Sequence, residues 1–175
     1  MTDAPEFSRP HRLDAIGEGE VVVAVTADEG ERAALAKRFG LIAIDRLEAR
    51  FAILRDESGI VARGHMSAAV VQACTVTDDR LPAKIEEDFA IRFIAEPDAV
   101  EEESELGADD CDTVFYTGSA IDLGEAAAET LLLSLDPFPR GPNAAAVLKE
   151  AGVISEEEVR PLTGLAGLRD LLGKT

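Results

Sequence analysis

The stretch Ile60-Val61-Ala62-Arg63-Gly64-His65-Met66-Ser67-Ala68-Ala69-Val70-Val71-Gln72-Ala73-Cys74-Thr75-Val76 decides the fold. Its even positions Ile60, Ala62, Met66, Ala68, Val70, Cys74 and Val76 are apolar, while Arg63, His65, Ser67 and Thr75 fall among the odd ones. A period of two marks a strand with one buried face, because successive side chains of a strand point to opposite sides. The preceding segment, Leu41 to Arg55, has a matching apolar set in Leu47, Ala49, Phe51 and Ile53. Only Asp56-Glu57-Ser58-Gly59 separates the two, which predicts an antiparallel hairpin.

Outward from the hairpin, Lys84 to Ile94 reads as a third strand, with Phe89, Ile91 and Phe93 on one side and Asp88 and Arg92 on the other. The turn before it contains Asp78-Asp79-Arg80-Leu81-Pro82. Upstream, Val21-Val22-Val23-Ala24-Val25 has the β-branched richness of a buried strand. A helix follows, opened by a capping box of Thr26 with Glu29 or of Asp28 with Glu31 and closed by Gly40. Downstream, Thr113 to Ile121 predicts one short strand, and Asp122 opens a helix with capping-box spacing to Glu125. Leu123, Ala127, Leu131 and Leu135 share one face of that helix, and Pro137 and Pro139 end it, since neither can donate a backbone hydrogen bond. The tail predicts a short helix through Ala146, Val147 and Leu148, then a second from about Pro161 through Leu165, Leu168 and Leu172. The expected class is α+β, with a mainly antiparallel β-sheet, packed helices and a C-terminal helical region, in one domain over residues 1–175.

The chain carries 35 acidic and 17 basic side chains, a net charge of −18, with 46% apolar residues. From Phe93 to Pro139 there are 13 acids and no Lys or Arg, so this part holds −13 and the rest only −5. The densest part, residues 96–112, has nine acids and reads as a mobile acidic loop. No apolar run approaches the roughly 20 residues that cross a bilayer, and Met1 to Glu6 lacks the features of a secretory signal. A cytoplasmic protein without membrane contact is expected.

The chemistry-bearing residues are few. Gly17-Glu18-Gly19-Glu20 precedes a strand, whereas a dinucleotide-binding glycine loop follows one and opens a helix. Of the two histidines, His11 and His65, the second lies opposite the apolar face of its strand, as a structural histidine would. Cys74 reads as a small buried hydrophobe, and Cys111, between Asp110 and Asp112, sits where thiolate formation is disfavoured. The acidic loop lacks the ligand spacing and central glycine of a calcium loop. No catalytic residue, metal ligand or cofactor is therefore assigned. In the first 55 residues eight bases are balanced by ten acids, which argues against strong direct RNA binding. Arg9, Arg12 and Arg140 remain as a small basic patch.

Ile121-Asp122-Leu123-Gly124-Glu125, then Glu129 and a leucine-rich helix, then Leu135-Asp136-Pro137-Phe138-Pro139-Arg140, resembles the signature region of the bacterial YceD family, the large ribosomal RNA subunit accumulation proteins. Further matching landmarks are Phe7-Ser8-Arg9-Pro10, Gly64-His65-Met66 leading to Cys74, Phe89 to Phe93, the acidic insert and Pro161 to Leu168. Where family members often have Cys-x-x-Cys or Cys-x-Arg-Cys, this chain has Cys74-Thr75-Val76-Thr77, with one sulfur of the pair. It also has Pro161-Leu162 where an Asn-Pro-Phe pattern is common.

The resemblance implies a non-catalytic role in synthesis, processing or stability of large-subunit ribosomal RNA. It makes Asp122, Gly124, Glu125, Pro137, Pro139 and Arg140 the candidate positions, with Arg140 the candidate for partner or RNA contact. The acidic surface favours a basic ribosomal or RNA-processing protein as partner. Alternatives are direct contact with ribosomal RNA through the local basic patch, and a metal-dependent hydrolase built on carboxylates.

Overall fold

The computed structural model describes residues 5–17, 19–57, 59–96 and 112–153. In chain order these form β1 (Pro10–Arg12), a 3-10 turn (Leu13–Ala15), β2 (Val21–Thr26), α1 (Glu29–Phe39), β3 (Ala43–Asp56), β4 (Gly59–Ala73), β5 (Arg80–Ala95), β6 (Asp112–Tyr116), β7 (Ala120–Asp122), α2 (Leu123–Ser134) and α3 (Ala144–Glu150). The core of the acidic loop, Cys111 and the expected helix from Pro161 lie outside the described residues.

The architecture is α+β. A five-stranded sheet runs β2-β3-β4-β5-β6, and β1 pairs with β7 in a separate two-stranded sheet. The expected hairpin is the centre of the larger sheet, with Asp56 opposite Gly59 and pairing continuous from there to Arg46 opposite Ala69. Its alternation is realised: Leu47, Ala49, Phe51 and Ile53 of β3 and Ile60, Ala62, Met66, Ala68 and Val70 of β4 are all buried. On this face pack α1 through Leu35 and Ala36 and α2 through Leu123, Ala127 and Leu131. The other face, with Arg50, Arg63, His65 and Asp88, is open.

One glycine makes the central packing possible. Gly64 pairs with both Phe51 and Phe89, whose rings meet with centroids 5.0 Å apart. A Cβ on Gly64 would lie 2.1 Å from the Arg50 carbonyl oxygen and 2.6 Å from Phe89 Cζ, so no larger residue fits without shifting backbone.

Several expectations are corrected. Val21 to Val25 forms an edge strand, with Val22 55% exposed, because only one face of β2 meets the helical layer. The predicted Thr113–Ile121 strand is two strands in different sheets. A turn through Gly118, at φ +80°, redirects the chain from β6 to pair with β1. β6 lies parallel to β5, the one parallel pairing in the larger sheet among the described residues. β5 also begins earlier than expected, so that Arg80, Leu81 and Pro82 belong to it. Pro82 is tolerated there because, among the described residues, β5 has a neighbouring strand on only one side at that level.

Candidate functional site

At its amino end α2 is held by Asp122. The Asp122 Oδ1 accepts from the amides of Gly124 at 2.9 Å and Glu125 at 3.2 Å, which satisfies two free donors of the first turn. The same carboxylate reaches 113 residues back along the chain. Oδ1 also accepts from the Arg9 amide at 2.7 Å, and Oδ2 accepts from the Ser8 hydroxyl at 2.5 Å. The Leu123 amide returns the contact by donating to the Arg9 carbonyl at 3.1 Å. Gly124 permits this approach: a Cβ there would stand 2.5 Å from the Phe7 carbonyl oxygen and 2.9 Å from the Arg9 nitrogen. Phe7 is fully buried beneath.

Two arginines extend this clasp to α1. Arg9 forms a bidentate pair with Glu31, at 2.6 and 2.8 Å, and Glu31 in turn completes the capping box of α1 with Asp28. The salt link raises the Arg9 guanidinium pKa and lowers the Glu31 carboxyl pKa. Arg38, near the end of α1, holds Glu125 bidentately at 2.7 and 3.0 Å and also reaches Glu6 at 3.0 Å. The reciprocal half of the capping box expected of Glu125 is therefore replaced. Its carboxylate joins α2 to α1, while Asp122 alone caps the helix.

At the other end of α2 the signature turns onto the β4–β5 connection. The chain stops being helical at Leu135, two residues before Pro137. The Pro139 carbonyl accepts from the Thr75 amide at 2.9 Å and from the Thr75 hydroxyl at 3.2 Å, and the Asp136 carbonyl accepts from the Gln72 side chain at 2.9 Å. The Gly141 amide donates to Cys74 Sγ at 3.3 Å. Cys74 is buried as expected, but it lies just past the end of β4 and its sulfur is an acceptor. That amide, followed by the Thr77 hydroxyl, lowers the Cys74 thiol pKa to about 7. Phe138, by contrast, projects outward with 71% of its surface exposed. Arg140 is exposed and makes no hydrogen bond or ion pair among the described residues.

The six candidate positions thus form two groups rather than one site. Asp122, Gly124 and Glu125 lock the amino-terminal segment and α1. Pro137, Pro139 and Arg140 lie beyond the far end of a 12-residue helix, about 18 Å away. The basic patch of Arg9, Arg12 and Arg140 is not formed: Arg9 is bound to Glu31, Arg12 to Asp14, and Arg140 belongs to the distant group. His65 lies on the open face between Asp88 at 2.7 Å and Glu86 at 3.0 Å, and these hydrogen bonds, Asp88 first, raise its pKa. Arg38, Glu6, Glu31 and Thr75 were not among the candidates, and their contacts span 22 to 87 residues, beyond the reach of local spacing. Among the described residues no group of three or more His, Cys, Asp or Glu side chains is placed to hold a metal ion, and no helix is long and apolar enough to cross a membrane.

A family model described as Large ribosomal RNA subunit accumulation protein YceD matches residues 62–172, well over half of the sequence. The chain belongs to the YceD family. The matched span takes in most of β4, the Cys74 turn, β5 and all six signature positions. In this YceD protein the amino-terminal partners of the signature, Phe7 to Arg9 and Arg38, fall outside that span. The family's description ties these proteins to accumulation of the large-subunit ribosomal RNA. No curated protein and no solved structure matches the chain significantly.

Proposed function

We propose that this protein supports the synthesis, processing or stability of large-subunit ribosomal RNA as a non-catalytic factor that works through a basic protein partner. The observation that carries the reading is the family match over residues 62–172. Choice of a protein partner rests on charge. Five of the 17 basic side chains, Arg9, Arg12, Arg38, Arg46 and Arg92, have carboxylates within 4.0 Å, which reduces the cationic surface that phosphates would need. The acidic excess stays available to a cationic protein, whose encounter it would steer. Affinity purification of the tagged full-length protein at low salt tests this. Ribosomal or RNA-processing proteins are expected in the eluate, and recovery of none contradicts the reading.

A second reading, direct RNA contact, is favoured by Arg140, exposed and without a partner among the described residues. It predicts a salt-dependent gel shift with ribosomal RNA fragments that Arg140→Glu weakens; no shift at low salt removes it.

A further inference from the structure

β6 pairs with β5 only from Ile91 to Ala95. From Arg80 to Ala90, β5 has β4 on one side and, among the described residues, no strand on the other. Alternate amides and carbonyls of a strand point to each side, so this edge offers a row of backbone groups ready to pair. The edge opens onto a groove of about 410 Å³ between β5, β6 and α2. Its apolar lining includes Phe89, Val114 and Leu133, the last 79% exposed. Its rim carries Glu87 from β5, Asp112 from β6 and Glu129 from α2, and no Lys or Arg lines it. Burial, and then the neighbouring Glu125, raise the Glu129 carboxyl pKa.

We propose that an extended, lysine- or arginine-rich segment of a partner protein adds as a strand along the β5 edge from Ile85 to Ala90 and seats alternate apolar side chains in this groove. The inference rests on the basic-partner reading above and specifies where and how that partner binds. Backbone pairing supplies affinity, and pockets for alternate side chains supply selection. The acids explain why a second copy of the chain is not the occupant. Glu86, Glu87 and Asp88 are consecutive on this edge, so two copies meeting here would set acid against acid.

The test uses the full-length protein and a short peptide of alternating lysine and valine, with alternating glutamate and valine as control. Backbone amide exchange and fluorescence anisotropy are measured. Exchange at residues 85–90 is expected to slow on adding the lysine peptide, binding to weaken with salt, and Glu87→Lys with Glu129→Lys to weaken it by about tenfold or more. Glu48→Lys, on the open face of the sheet, should leave binding unchanged. An equal loss from Glu48→Lys would show general charge attraction and overturn the proposal, as would unchanged exchange at 85–90. Slow exchange of these amides in the free protein, whether from residues 97–111, residues 154–175 or a second copy, would overturn it too. The lysate purification separates the two levels: a partner retained by Glu87→Lys/Glu129→Lys refutes the groove and leaves the function, whereas no partner for the unmutated chain refutes the function.

Discussion

Asp122→Ala removes one carboxylate that serves two distant parts of the chain, and the structure sets the size of the effect. Loss of an N-cap carboxylate costs about 1 kcal/mol. The two further bonds, from the Arg9 amide and the Ser8 hydroxyl, go to a charged acceptor in a part-buried setting and are worth about 1.5 kcal/mol each at the lower end of their range. These contributions share one group and do not add fully, so a loss of about 3 kcal/mol is expected. Asp122→Asn keeps an oxygen for the cap and should lose about 1 kcal/mol. Urea unfolding followed by circular dichroism measures both, and amide exchange locates the damage. Exchange should quicken at Arg9, whose amide is released directly, and in α2, while β3 and β4 show only the global loss of stability. A loss below about 1 kcal/mol for Asp122→Ala, or an unchanged Arg9 amide, would refute the clasp between the amino-terminal segment and the signature helix.

Gly124→Ala should destabilise by about 1 to 3 kcal/mol in urea unfolding, although alanine normally favours a helix, because its Cβ meets the Phe7 carbonyl. Gly64→Ala should cost at least as much by the same assay, since its Cβ meets the Arg50 carbonyl oxygen, which strand pairing holds in place. Arg140→Glu should change stability by no more than about 0.5 kcal/mol, and on the direct-RNA reading it should weaken RNA binding, which a paired melting and binding measurement separates. His65 should titrate above its ordinary value by NMR, and Asp88→Asn should lower it. Because the folded pKa is raised, the stability from His65 is fully present below about pH 6.5 and is lost as pH rises through the folded value.

The parts of the fold legible in the sequence are those set by neighbours in the chain. Period-two alternation places Phe51 and Met66 on the buried face without reference to anything distant. Capping works within three residues, so Asp28 with Glu31, and Asp122 with the Glu125 amide, are readable directly. Pairing across long separations leaves no such local signal. Nothing near Glu125 points to Arg38, nothing near Cys74 to Gly141, and Thr113 to Ile121 carries no mark that its two halves enter different sheets. The candidate site was legible as a list of positions, through resemblance, but not as an arrangement. Asp122, Gly124 and Glu125 act on the amino terminus and α1, whereas Pro137 and Pro139 shape a loop that presents Phe138 and Arg140. The acidic groove went unread because its three carboxylates come from three separate elements.

Depletion of the protein from its cell, followed by measurement of the ratio of large to small ribosomal subunits, tests the proposed role most directly. A fall in the ratio, restored by the unmutated chain, is the predicted result. An unchanged ratio would contradict a role in accumulation of the large-subunit ribosomal RNA.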